Sequence, residues 1–195
     1  MNKVAFILSG IFCSWASLIY ADNSSSSGLK FDNKQSHINQ INGRFELDPT
    51  GACITDKKTG LMWAKDANLF GGATWGNSVD NYSAQDQINR MNSNPQAIAY
   101  HLCGYGDWRL PTRYELHDLI ASMPRDNQCS IPVVLSTKSG NGFTDIRADR
   151  YWAGCKFDNG TAWYVSMSDG RTDYGDQGVF GYVWPVRKAI KAGIQ

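Results

Sequence analysis

The sequence predicts a single α+β domain of two short helices and small antiparallel sheets, and three observations predict it. A capping box opens one helix, short alternating strands separated by Gly, Asn and Asp turns fill the last third, and 195 residues suffice for one ordinary domain behind a leader. The helix is the firmest element. Thr112 followed by Glu115 lets the Thr hydroxyl accept the Glu115 N–H while the carboxylate accepts the Thr112 N–H. Leu116, Leu119 and Ile120 then share one face, and Pro124 ends the run. Upstream lie Asp107, Trp108, Arg109 and Pro111, extended because the residue before a proline is held out of the helical region. An active site made of Asp107, Arg109 and Glu115 is the rival reading. Architecture is preferred: an Arg between two carboxylates and beside a Trp fixes a loop on a core, so Trp63, Asp107, Trp108, Arg109, Pro111, Thr112 and Glu115 are assigned structural roles.

In chain order, residues 1–21 read as a signal peptide, with Lys3 as its positive region, an uncharged Val4–Tyr20 stretch and cleavage after Ala21. Seventeen residues interrupted by serines make a marginal membrane span, and the residues before Cys13 lack a lipoprotein pattern. Residues 22–43, rich in Ser, Asn and Gln, are expected to be a flexible lead-in, and 44–195 the domain. Strands are expected at Arg44–Leu47, Ala52–Thr55 and Leu61–Ala64, the last two joined by a turn in which Gly60 takes a positive φ. A helix over Gly76–Asn92 would align Val79, Ile88 and Met91 and pair Asp86 with Arg90. Residues 124–150 read as loop. Strands follow at Tyr151–Ala153, Thr161–Met167, Arg171–Tyr174 and Gly181–Arg187, with Pro185 marking an edge or bulge. Trp163 is expected in the core, and Trp152 is divided between core and ligand contact.

Without Lys3 the mature chain has 18 basic and 18 acidic residues, from totals of 19 and 18. Interspersed charge and the absence of a basic run longer than two argue against nucleic acid as a partner. Cys53, Cys103, Cys129 and Cys155 remain after cleavage, an even set that suggests two disulfides among three connectivities. Cys53–Cys103 and Cys129–Cys155 are preferred, the second closing a loop insertion. Zinc is rejected because no two cysteines lie close in sequence. Catalysis is not expected: no nucleophile elbow, zinc-protease, P-loop or dinucleotide motif is present, and His37, His101 and His117 are scattered.

Binding is the chemistry the composition favours. Tyr174 and Tyr182 flank a glycine-rich loop, and Arg147, Arg150, Trp152, Arg171 and Asp176 are its sequence neighbours, giving aromatic faces for sugars and polar groups for hydroxyls. Those seven are the expected ligand-binding residues. Asp158-Asn159 and Asp169, Asp173 and Asp176 offer oxygens of the kind Ca²⁺ takes, but turn chemistry accounts for them more simply, so no cofactor is expected. The expected partner is an extracellular glycan or protein, the expected location secreted or at the cell surface, with the periplasm as an alternative; a homo-oligomer is left open.

Several motifs together carry a family resemblance. They are Thr55-Asp56-x-x-Thr59-Gly60-Leu61-Met62-Trp63-Ala64-Lys65, Gly106-Asp107-Trp108-Arg109-Leu110-Pro111-Thr112-x-x-Glu115-Leu116, Tyr151-Trp152, Ala162-Trp163-Tyr164-Val165 with Asp169-Gly170, and Val183-Trp184-Pro185-Val186-Arg187. Over about residues 44–188 the chain resembles the C-terminal domain family of the Legionella collagen-like adhesin. The resemblance implies a variant of the C-type-lectin and formylglycine-generating-enzyme-like fold, and a secreted or surface-displayed binding domain, sulfated glycans being among the namesake's ligands. It departs from the family in three ways: no Gly-x-y stalk precedes residue 44, Arg187-Lys188 stands where many members carry a cysteine, and the neutral charge does not favour a polyanion. The copper-binding cysteine pair that formylglycine-generating chemistry needs near the C-terminus is also missing, since no cysteine follows Cys155.

Overall fold

The computed structural model describes residues 40–41, 43–76, 82–121 and 142–189. The expected signal peptide, Val79, Pro124, Cys129 and most of the expected 124–150 loop lie outside them. Two five-stranded sheets are formed. The first joins β1 (Gln40–Ile41), β2 (Phe45–Leu47), β3 (Cys53–Asp56), β4 (Leu61–Ala64) and β10 (Val186–Lys188) in that order, all antiparallel. The second runs β5 (Gly72–Ala73), β9 (Gly181–Tyr182), β6 (Arg150–Lys156), β7 (Thr161–Ser166), β8 (Thr172–Asp176), antiparallel except where Tyr151 of β6 meets Tyr182 of β9. With helices α1 (Ala84–Ser93) and α2 (Arg113–Ala121) this is an α+β arrangement.

Local signals explain most of these elements. In the β3–β4 hairpin Gly60 takes φ 68°, and its N–H donates to the Asp56 carbonyl at 2.8 Å. The α2 capping box forms as expected, Glu115 N–H to Thr112 Oγ1 at 3.2 Å and Thr112 N–H to Glu115 Oε2 at 2.7 Å. Leu116, Leu119 and Ile120 are buried. Pro185 immediately precedes β10, an edge strand of the first sheet, where a missing N–H costs no ladder bond.

Three expectations change. Strand pairing begins at Gln40, inside the stretch expected to be a flexible lead-in, because Gln40–Ile41 bonds to Phe45–Glu46. The first helix starts at Ala84 rather than Gly76, since Ser83 and Asp86 form a second capping box that fixes its N-terminus. Asp86 is engaged there, so it does not pair with Arg90, whose guanidinium lies over the Tyr82 ring. The tryptophans exchange roles: Trp152 is fully buried and donates its indole N–H to the Ala73 carbonyl at 2.8 Å, whereas Trp163 is half-buried at the surface.

The core has two parts that pack on opposite faces of the β6–β7 pair. One gathers Phe45, Ile54, Trp63, Tyr151, Val165, Trp184 and the apolar face of α2. Trp184 sits among Phe143, Tyr151 and Trp63 at 5.1–5.6 Å between ring centroids. The other gathers Met62, Trp75, Ile88, Met91, Trp108 and Trp152 around α1.

Candidate functional site

The motif stretch 103–120 holds the two core halves together. Arg109 makes a two-pronged pair with Glu115 at 2.7 and 2.8 Å. Burial pushes the Glu115 carboxyl up, but Arg109 and the Thr112 N–H outweigh it and hold the group below its usual range. Asp107 does not join that pair. It reaches Arg187 of β10 at 2.5 and 3.1 Å, and Arg187 is buried with its guanidinium 3.6 Å from the Tyr105 ring centroid. Hydrogen bonding to Arg187 lowers the Asp107 carboxyl. Trp108 is clamped by Asn92, which donates to its carbonyl at 2.7 Å and accepts its N–H at 2.9 Å, and the Pro111 carbonyl accepts the Gly154 N–H at 2.8 Å. Each of these contacts ties the stretch to β10, α1, α2 or β6. Trp63 is buried edge-on to Trp184.

Cys53 and Cys103 form the first expected disulfide, joining β3 to the turn before α2. Cys155 is an exposed free thiol, so the second expected bond, to Cys129, is not formed; Cys129 itself lies outside the described residues.

The seven expected ligand residues do not form one site. Arg150 and Trp152 point to the same side of β6, and there Arg150 lies over Tyr164, 5.1 Å from its centroid. Trp152 is covered completely, so its ring offers nothing to a ligand. Tyr182 is half-buried against Tyr151. Arg147 is exposed, its N–H donating to the Tyr151 hydroxyl, and Arg171 pairs with Asp169 at 3.4 Å. Tyr174 and Asp176 fall on the opposite face of the sheet from Arg150, because β8 alternates and Tyr174 pairs with Trp163. The glycine-rich loop is also more structural than expected: Gln177 is buried, its carbonyl accepts the Trp75 N–H, and a Cβ on Gly181 would stand 2.7 Å from Trp152 Nε1.

What Tyr174 joins instead is an aromatic platform. Phe157, from the β6–β7 turn, stacks on Tyr174 with centroids 4.0 Å apart and planes within 10°. Trp163 meets both edge-on at 5.2 and 5.6 Å. Arg113, in the first turn of α2, places its guanidinium 4.0 Å from the Trp163 centroid and donates to the Tyr114 hydroxyl at 2.8 Å. Phe157 is 48% exposed, Tyr174 46% and Tyr114 70%, so the platform faces solvent. Sequence reasoning missed Phe157, Trp163, Arg113 and Tyr114 as surface groups. A phenylalanine inside the polar turn Lys156–Gly160 was the available signal, since nothing in such a turn buries it.

The aspartates considered for Ca²⁺ cap backbone turns. Asp158 accepts the Gly160 and Thr161 N–H groups at 2.8 and 2.7 Å, Asp169 that of Arg171, Asp173 that of Tyr174 and Asp176 that of Gly178. Among the described residues, the one set of metal-type ligand atoms that comes together is Asp48 with the two disulfide sulfurs. A second surface feature is a groove of about 340 Å³ lined by Phe70, Tyr82, Arg90 and Ile98. No described helix is long and apolar enough to cross a membrane.

No curated protein matches the chain. The model of the Lcl C-terminal domain matches residues 52–187, from β3 through β10, and so includes every strand and helix that builds the platform. The chain belongs to the Lcl C-terminal domain family.

Proposed function

We propose that the protein is a secreted or surface-displayed, non-catalytic domain that recognises glycans in the manner of an adhesin, with Phe157, Trp163 and Tyr174 as its contact surface. Membership of an adhesin-related family supports the binding role. The observation that carries the site is the exposed Phe157–Tyr174 stack braced by Trp163 and Arg113. Three aromatic side chains held rigid at a surface lose little freedom when a ligand covers them, and their faces match the C–H faces of sugar rings. A glycan array probed with the folded protein and with a Phe157→Ala/Tyr174→Ala variant tests it. Hits that vanish in the variant, with the melting temperature kept within a few degrees, support the reading; an empty array on folded protein refutes it.

The second reading, an interaction subunit of a surface or secretion-linked assembly, draws on the other exposed apolar surface. Tyr82, Ile98 and Phe180 are 62%, 66% and 72% exposed, and Phe180 lies against Gly72 at the groove. An empty glycan array together with a partner lost on Ile98→Asp and Phe180→Asp substitution would favour it.

A further inference from the structure

The charges around the platform name the class of sugar it takes. By strand alternation Asp176 projects on the same face as Tyr174, two residues along β8, where it pairs opposite Thr161. Asp158, next to Phe157 in the turn, reaches the Thr161 hydroxyl at 2.9 Å and so lies at the same end. Each of these carboxylates caps its turn through Oδ1, and among the described residues Oδ2 has no partner in either. The aromatic stack is thus bordered by two carboxylate oxygens free to accept hydrogen bonds.

The nearby cations do not offset them. Among the described residues Arg113 is the one that faces the stack, and it is spread over the Trp163 ring and bonded to Tyr114. Lys156 turns toward Trp75, Arg150 lies over Tyr164 beside Asp149, and Arg171 is paired with Asp169. A sulfated or carboxylated polymer would bring its charge against Asp158 and Asp176 and find, among the described residues, no cluster of free guanidinium or ammonium groups to balance it.

From this geometry we infer that the platform binds uncharged pyranosides with an unbroken apolar face, β-linked gluco-configured chains above all, and discriminates against polyanionic glycans. The inference rests on the glycan-binding reading and sharpens it. In the gluco configuration every ring hydroxyl is equatorial, so the axial C–H groups cover the Phe157–Tyr174 stack while the hydroxyls at the ring edge donate to Asp176 and Asp158. Arg113 supplies its remaining N–H groups to a sugar oxygen from the α2 side.

The full chain is titrated with a β-1,4-linked glucose tetrasaccharide and, separately, with a heparin tetrasaccharide, at low and at physiological ionic strength. Tryptophan fluorescence and calorimetry supply the readouts. The neutral tetrasaccharide should bind with an affinity that salt leaves unchanged, and the heparin fragment at least about tenfold more weakly. Phe157→Ala and Tyr174→Ala should each weaken the neutral ligand by about tenfold. Asp176→Asn keeps the cap on Gly178 and should cost about fivefold or more through the lost charged acceptor. Heparin binding that exceeds neutral binding and fades with salt would overturn the inference while leaving the glycan reading standing. Neutral binding that survives both aromatic substitutions would overturn it as well. If neither sugar binds folded protein, the inference and the glycan reading fall together.

Discussion

Replacing Asp56 by alanine should be among the most damaging single changes in the domain. Asp56 ends β3, is 1% exposed, and accepts from Arg44 Nε and Nη2 at 2.7 and 2.5 Å, from the Thr59 hydroxyl at 2.7 Å and from the Lys58 N–H at 3.0 Å. Breaking a buried ion pair by removing one partner costs about 3–5 kcal/mol. Arg44 keeps some solvent access and Asp118 at 3.7 Å, which places the loss near about 3 kcal/mol. For a domain of this size that corresponds to a fall of about 6–12 °C in melting temperature. Asp56→Asn keeps an Oδ1 acceptor for the Lys58 N–H but sets an amide NH2 where the Thr59 hydroxyl donates and loses the charge, and should cost about 2 kcal/mol. The pH dependence has a definite sign. Burial pushes the Asp56 carboxyl up, yet Arg44, Thr59 and the Lys58 N–H together hold it below its ordinary value. Its contribution is therefore complete above an unfolded-state value of about 3.9 and is lost as pH falls through the lower folded-state value. Urea melts of wild type and Asp56→Asn should differ by a constant amount at neutral pH and converge in acid. A melting temperature within about 3 °C of wild type for Asp56→Ala, or a stability gap that persists unchanged to about pH 2, would refute the assignment.

Gly181→Ala should destabilise by about 1–3 kcal/mol, because the new methyl would meet the Trp152 indole at 2.7–2.8 Å and threaten its bond to Ala73; calorimetric melting checks this. Cys103→Ser opens a cross-link between residues 50 apart and should cost about 2–4 kcal/mol, read from denaturant midpoints with and without reductant, the reductant dependence tied to this bond disappearing in the variant.

The parts legible in the sequence are those whose partners are close in the chain. The Thr112–Glu115 box and the Asp56–Gly60 turn follow from residues at most five positions apart, and both form as expected. Grouping Asp107 with Arg109 and Glu115 follows from sequence proximity alone; its partner, Arg187, is 80 residues away, and no local signal favours that arginine over Arg109 two positions on. Alternation in β7 correctly put Trp163 and Val165 on one face, but period alone does not say how far a covering helix extends. α2 buries Val165 and stops short of Trp163, leaving only its first-turn Arg113 on the ring. The expected ligand set divides for a related reason: Arg150 and Tyr174 belong to opposite faces of the sheet, a distinction that depends on the β6–β7–β8 register.

The position of β10 has a consequence for biogenesis. Val186–Lys188 completes the first sheet beside β4, and Arg187 meets Met62 across a separation of 125 residues. While the ribosome is still adding the last third of the chain, β4 has an open flank, Asp107 has no guanidinium opposite it, and Trp63 lacks the ring of Trp184. Closure of so long a loop comes late and slowly. The first sheet is therefore complete only after residue 188 has emerged, and its last strand is added to a hairpin made more than 120 residues earlier.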